Sequence, residues 1–308
     1  MPDFDFVLVG DLNIDLVLGG MERLPSMGTE ELASEIDFRL GGSVGNCACA
    51  LASLGARVAF QTLVGRDAFG DFLIDSLRRC GVTTDWVRRS EQVRTGVTVS
   101  LSCAEDRGLA TYLGCIGALS ESHLDWALLE RAGHLHAGSF FLLNSMRGHW
   151  SDLFRRAKEK GLTISLDLGW DPAQEWDGEL GEVLELVDVL LPNEEEVTRV
   201  ARRSSVEEAA RELARRCGLV VVKMGEKGSG AWQGDKAWRA DAFKVEPKDT
   251  TALGDCFNAG FLVAWKEGKP IEQCLRMGNA SAAIAASRLG EGRYATRGEA
   301  EEPLADEG

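Results

Sequence analysis

Positive charge is what this chain of 308 residues is short of. Its 34 Lys and Arg stand against 49 Asp and Glu, a formal net charge of -15 with an isoelectric point near 4.8. General binding to nucleic acid or to an anionic membrane needs a basic footprint, so neither partner is expected; a locally positive site for a small anion stays open. No apolar run approaches the roughly 20 residues that a membrane span needs. The start, Met1-Pro2-Asp3-Phe4-Asp5, lacks the basic residues of a secretory signal, and a cytoplasmic location is expected. The eight cysteines contain no CxxC, and Cys47 and Cys49 are two apart, on different faces of a helix. Reduced thiols rather than a zinc site follow. Histidine is scarce as well: His123, His134, His136 and His149 are irregularly spaced, form no metal-ligand pattern and read as structural.

What is present, 44% hydrophobic and 27% charged residues, suits one large α/β core with a small appendage. Phe6-Val7-Leu8-Val9-Gly10 reads as a buried parallel strand followed by a ligand-facing turn. Residues 12 to 40 alternate polar and apolar, as antiparallel strands outside the main sheet would. A glycine-rich turn, Gly41-Gly42-Ser43-Val44-Gly45-Asn46, then feeds a small-residue helix that stops at Gly55. Its glycine spacing does not fit a dinucleotide fingerprint. After a strand over 58–65 and a helix over 69–80, residues 95–102 and 109–113 form a half-exposed hairpin across Glu105-Asp106-Arg107-Gly108. With residues 12–40 it makes a small lid sheet.

From residue 123 strands and helices alternate: strands near 135–140, 162–167, 188–193 and 219–225, helices over 150–160 and 205–216. That rhythm predicts right-handed crossovers and a parallel sheet covered on both faces. A hairpin around Gly234-Asp235, helices over 257–266 and 274–286, and an acidic tail over 299–308 with no expected order complete the reading.

Chemistry concentrates in four places. In Lys248-Asp249-Thr250-Thr251-Ala252-Leu253-Gly254-Asp255-Cys256-Phe257 a polar loop delivers the chain into a helix. N–H groups at a helix start attract an anion such as phosphate. Asp255 there is either a general base beside that anion or an ordinary first-turn carboxylate. Asp15, Gly41, Gly42 and Asn46 lie at element ends and suit a polyol. Asn193-Glu194-Glu195-Glu196 either caps a helix or places Asn193 and Glu196 on one face, as oxygen ligands that reach Mg²⁺ through water. Lys223-Met224-Gly225-Glu226-Lys227-Gly228 is no Walker loop, and its Lys223 is a phosphate contact or a strand-end charge.

Taken together these motifs resemble the ribokinase-like, or PfkB, sugar and nucleoside kinases. The likeness rests on Gly41-Gly42-Ser43-Val44-Gly45-Asn46 with Val64-Gly65-Arg66-Asp67-Ala68-Phe69-Gly70, and on Asp249-Thr250-Thr251-Ala252-Leu253-Gly254-Asp255; it runs over about residues 5 to 295. The resemblance implies an αβα sandwich with a mostly parallel sheet and a β-sheet lid, a kinase domain over 1–298, and transfer of the ATP γ-phosphoryl group to a sugar hydroxyl. It implies Asp255 as base and an anion hole of backbone N–H groups at Ala252, Leu253, Gly254 and Asp255. Sugar contacts at Asp15, Gly41, Gly42 and Asn46, and nucleotide contacts at Asn193, Glu196, Lys223, Gly225, Gly228 and Asn279, follow likewise. Mg²⁺ belongs near Glu196 through water, and K⁺ at Asp249, Thr251 and backbone near Gly290. A nucleoside substrate, with Tyr112 to stack a base, is the alternative; a phosphosugar substrate, a weakly active homologue and a dimer through the lid edge also stay open. The family's usual Gly-Ala ahead of Gly-Asp is Ala252-Leu253 here. A positive φ at 252 would then cost about 1–2 kcal/mol.

Overall fold

The computed structural model describes residues 2–103 and 107–305. Strand β1 (Phe6–Val9) leads into the pair β2 (Asn13–Met21) and β3 (Glu35–Gly41), then α1 (Ser43–Ser53), β4 (Val58–Gly65), α2 (Ala68–Arg79) and β5 (Val87–Ser90). The hairpin β6 (Gly96–Cys103) and β7 (Arg107–Tyr112) and the short α3 (Cys115–Ala118) precede an alternating half. That half runs β8 (His134–Ala137), α4 (Trp150–Glu159), β9 (Thr163–Leu166), α5 (Leu180–Leu184), β10 (Val189–Leu190), α6 (Glu194–Ala201), α7 (Val206–Leu213) and β11 (Leu219–Lys223). The hairpin β12 (Ser229–Gln233) and β13 (Lys236–Ala240) and helices α8 (Leu253–Lys266), α9 (Ile271–Ala286) and α10 (Arg297–Ala305) follow.

Among the described residues nine strands form the main sheet, in the order β13-β12-β11-β10-β9-β8-β1-β4-β5. All pairs from β11 to β5 are parallel, and the β11–β12 and β12–β13 pairs are antiparallel. Such strands are buried on both faces, which explains their continuous apolar runs. Val7, Val9, Val220 and Val222 face the core under α4, α5 and α7; Phe6, Leu8, Leu219 and Val221 face the one under α1, α2, α8 and α9. The result is the expected αβα sandwich. The lid is a second sheet, β3-β2-β6-β7, antiparallel except for the β2–β6 pair.

Three details differ from the sequence reading. The second lid strand starts at Glu35, not near 29, and the residues before it carry no strand. Strand β5, Val87-Arg88-Arg89-Ser90, was not expected: it is an edge, and its exposed arginines hide it from a hydrophobic pattern. Residues 297–305 form a helix rather than a frayed tail, because Arg288 holds Glu299 at 2.6 Å, Arg297 holds Glu301 at 2.8 Å and Ala300 is fully buried. Residues 306–308 and the first half of the expected turn, Glu105-Asp106, lie outside the described residues, while Arg107 and Gly108 of that turn already belong to β7. No described helix is long and apolar enough to cross a membrane, and none of the eight cysteines forms a disulfide.

Candidate active site

Parallel sheets gather ligands at the carboxyl ends of their strands, where the strand order reverses. Here the order reverses at β1, and the residues just past the strand ends are Asp11 after β1, Asp167 after β9 and Asn193 after β10, with Lys223 closing β11. The lid strands leave and rejoin the main sheet over this edge.

Helix α1 begins without a side-chain cap of its own, since its N-cap is Gly42 at φ 90°. A Cβ there would meet the Asp11 carbonyl at 2.9 Å, so the position demands glycine for both conformation and space. The missing cap comes from the loop after β1: the Asp11 carboxylate accepts from Ser43 N at 2.9 Å and Val44 N at 3.0 Å. Next to it, the Asp15 carboxylate lies against Gly41, where a Cβ would sit 2.2 Å from Oδ1, and accepts from Asn13 Nδ2 at 3.0 Å. Burial pushes its carboxyl up to about 6, against the pull of Arg39. Asn46 donates to Gly42 O at 2.9 Å and accepts from Tyr294 Oη at 2.9 Å, so its side chain is fixed from both ends.

Helix α8 starts from Ala252, which adopts φ 61° and ψ 11°. This is the left-handed conformation, held without glycine. The first backbone bond runs from Cys256 N to Ala252 O at 3.0 Å, so the N–H groups of Leu253, Gly254 and Asp255 precede the helical ladder. Asp255 is the one acidic residue of that first turn. Its Oδ1 accepts from Ser43 Oγ at 2.6 Å. Burial drives its carboxyl well above the usual range, the nearby Asp167 charge adds to this, and the Ser43 hydrogen bond and Lys223 work against it. A carboxyl in that state can take a proton from an alcohol more readily than an exposed aspartate can.

Two cavities meet at this helix start. One of about 700 Å³ runs between α9 and the loop after β13, with Phe243, Val245, Ala282 and Ala283 among its walls. The other, of about 320 Å³, is lined by Ser43, Asp167, Asn193, Glu196 and Asp255 among others. Lys223, Gly225 and Gly254 line both. The first is long and mostly apolar, with room for a base and sugar; the second is acidic.

The acidic cavity contains Asp167, Glu196 and Asp255 against the single cation Lys223, whose Nζ lies 2.8 Å from Asp167 Oδ2. Asn258 Nδ2 donates to the same oxygen. Burial raises Asp167, but the Lys223 charge and hydrogen bond outweigh it and hold the carboxyl below its usual value. Glu196 has no such partner, and burial plus the Asp167 charge push it up to about 7. Asn193 and Glu196 form a reciprocal capping box on α6, Asn193 N to Glu196 Oε2 at 2.9 Å and Glu196 N to Asn193 Oδ1 at 2.8 Å. Capping and cavity-facing therefore coexist. No group of three His, Cys, Asp or Glu among the described residues could hold a metal ion directly. The excess of buried carboxylate nonetheless fits a hydrated Mg²⁺ brought in with nucleotide phosphates.

The remaining expected residues fall into place with different duties. Asn279 Nδ2 donates to Ala240 O at 3.1 Å and Asp241 O at 3.0 Å, anchoring the loop that walls the larger cavity. Gly228 is tight against that loop, a Cβ lying 2.1 Å from Ala240 O, whereas Gly225 at φ 58° borders open space. Asp249 and Thr251 sit just before the α8 turn and face Arg39 and Arg293. Asp11, Ser43, Asp167 and Asn258 were not singled out from the sequence; Asp167 alone carried a signal, as the acidic residue closing a buried strand.

Comparison with known proteins agrees with this fold. The sequence profile described as pfkB family carbohydrate kinase matches residues 3–295. The chain is 30% identical to the ATP-dependent ribose-1-phosphate kinase of Halopiger xanaduensis over 285 residues, 91% of each chain. It is 28% identical to the ribokinase of Haemophilus influenzae over 293 residues, 92% of each. Among solved structures, Arabidopsis thaliana ribokinase complexed with ribose and ATP superposes with a TM-score of 0.86 at 27% identity, covering 98% of both chains.

Proposed function

This chain belongs to the pfkB family of carbohydrate kinases, which are phosphotransferases, and from that premise we propose that it moves the γ-phosphoryl group of ATP to a hydroxyl of a small sugar. ATP takes the larger cavity, its base among Phe243, Val245 and the alanines of α9 and its phosphates over Lys223 and Gly225 toward Gly254. The sugar lies under the lid against Asp15, Gly41, Gly42 and Asn46. Asp255 takes the proton of the attacking hydroxyl, the new O–P bond forms in line as the bond to the β–γ bridging oxygen breaks, and ADP leaves. The N–H groups of residues 252 to 255 hold the charge on the moving phosphoryl group. Mg²⁺, when bound near Glu196 and Asn193 through water, neutralises phosphate charge. The lid keeps out the water that would otherwise accept the phosphoryl group.

The observation that carries this reading is Asp255: a half-buried carboxylate in the first turn of α8, hydrogen-bonded to Ser43, where the two cavities meet. An unphosphorylated sugar is favoured over a phosphosugar because two of the arginines near the lid are already engaged. Arg39 pairs with Asp37 and Asp249, and Arg66 with Glu91 at 2.6 Å. For a nucleoside, Tyr112 on β7 is 55% exposed, but it shares its row of the lid with Val97 and Ile14, on the face opposite Asp15, Thr98 and Thr111, and so does not favour a base. Exposed Ile36 and Leu109 on the two edge strands of the lid support association of two lids into a dimer.

The test is ATP consumption against pentoses, hexoses, their phosphates and nucleosides, with Asp255→Asn alongside. Transfer to a free sugar that Asp255→Asn abolishes supports the reading; turnover of Asp255→Asn close to wild type would sink it.

A further inference from the structure

The oxygens of Asp249, Thr251 and Gly290 converge beneath the turn that starts α8, and each is engaged by a guanidinium. Arg39, on lid strand β3, is 8% exposed; Arg293, from the turn Gly290–Arg293, is 3% exposed. Arg39 Nη1 donates to Asp249 Oδ2 at 2.6 Å and to Asp37 Oδ2 at 2.9 Å, and its Nη2 donates to Thr251 Oγ1 at 2.9 Å. Arg293 Nη1 donates to Thr251 O at 3.3 Å and Nε to Gly290 O at 3.0 Å, while Nη2 lies 3.1 Å from Asp249 Oδ2.

These are the residues for which the family resemblance implies a K⁺ site, and their surroundings do not fit one. The oxygens that would coordinate the ion already accept from arginine. Two guanidinium groups, which stay charged at any ordinary pH, are balanced by Asp37 and Asp249, so a further cation would arrive as an uncompensated positive charge in a buried place. Burial pushes the Asp249 carboxyl up, but the Thr251 N–H and the Arg39 charge outweigh it and hold it below its usual value.

We propose that Arg39 and Arg293 act as a built-in replacement for the monovalent cation, bracing the Asp249–Thr251 segment under the anion hole so that the protein works without K⁺. Because Arg39 lies on β3 opposite Asp15 of β2, the same contact ties the lid to the start of α8. Calling the turn an anion hole rests on the kinase reading; the indifference to K⁺ does not.

The experiment is thermal unfolding of the full chain, without nucleotide, at one ionic strength in KCl, NaCl and tetramethylammonium chloride. The wild type is expected to melt within about 1 °C in all three, whereas a K⁺-specific rise of several degrees that saturates at millimolar K⁺ would overturn the proposal. Arg293→Ala exposes Asp249 and the Thr251 carbonyl, and is expected to melt lower in tetramethylammonium chloride and to recover about half of that loss in K⁺. Arg39→Gln serves the same purpose should Arg293→Ala not fold. Equal destabilisation in every salt would reduce the arginines to packing and sink the idea. Calorimetric titration with MgATP in the same salts completes the set: a wild-type Kd unchanged within about twofold and a K⁺-rescued Kd in Arg293→Ala are expected. Absence of MgATP binding in any salt would count against the kinase reading, and the melting data would still decide the cation question.

Discussion

The hydroxyl of Ser43 donates a 2.6 Å hydrogen bond to Asp255 Oδ1, joining the first residue of α1 to the first turn of α8. The contact holds the proposed base in place and favours its charged form. If Asp255 takes the substrate proton, Asp255→Asn lowers kcat by about 10²- to 10⁴-fold while the sugar KM moves only a few-fold. Steady-state kinetics with the best sugar from the panel checks this. A fall in binding with kcat preserved would assign Asp255 to substrate capture instead.

The pH profile follows from the same carboxyl. Asp255 is raised by burial first and by Asp167 second, and the Ser43 bond opposes both. Its active form is the ionised one, so kcat/KM is full above the raised value and is lost as pH falls through it. The acid limb should therefore lie well above that of an exposed aspartate. Ser43→Ala moves the limb to higher pH, and Asp167→Asn moves it to lower pH. A limb that ignores both substitutions would belong to another group.

Asp15 sets substrate capture against stability. Its value of about 6 in the folded chain lies above that of an exposed aspartate. Its contribution to stability is therefore full below the unfolded value and is lost as pH rises through about 6. At neutral pH the ionised group weakens the fold, by about 1–2 kcal/mol once its partial exposure is allowed for. Asp15→Asn keeps an acceptor for Asn13 and removes the buried charge. It is expected to melt roughly 2–6 °C higher at pH 7.5 and to gain nothing near pH 4, while kcat/KM for the sugar falls about 10- to 100-fold. Thermal unfolding at the two pH values, together with kinetics, decides.

The left-handed Ala252 gives a prediction that the sequence had already framed. Its φ of 61° shows that the turn takes the glycine-like shape despite its side chain. Ala252→Gly relieves that strain but adds freedom to the unfolded chain, leaving a net gain of about 0.5–1 kcal/mol. Since the N–H groups are already arranged, kcat is expected to change less than about threefold. A rise far beyond that would mean that alanine distorts the turn.

How much of this could be read from residues alone depended on where the information sits. Strands such as Leu219-Val220-Val221-Val222 were legible because burial on both faces leaves an unbroken apolar run. The α8 start was legible because its glycine, acid and helix onset are contiguous. Strand β5 was not, since an edge strand exposing Arg88 and Arg89 has no apolar pattern to offer. The duties of Asp11, Asn258, Arg39 and Arg293 were out of reach for a different reason: each acts on a residue far away in sequence, as Arg39 does on Asp249. Asn279 lines the larger cavity, but its work of fastening the Ala240–Asp241 backbone needs coordinates to be seen.

Lys223 and Asp167 allow the pair to be separated from the phosphate contact. Their side chains are 14% and 5% exposed and meet at 2.8 Å. Lys223→Met leaves Asp167 buried with the Asn258 amide and the Gly169 N–H but no cation to offset its charge, and breaking such a pair costs about 3–5 kcal/mol. Adding Asp167→Asn removes the orphaned charge, so the double variant is expected to recover most of the lost stability. If Lys223 also holds ATP phosphates, recovery of the melting temperature will not restore nucleotide affinity, because the cation is still missing from the place where the two cavities meet. Stability and MgATP affinity that return together would make Lys223 a structural counter-ion to Asp167 and nothing more.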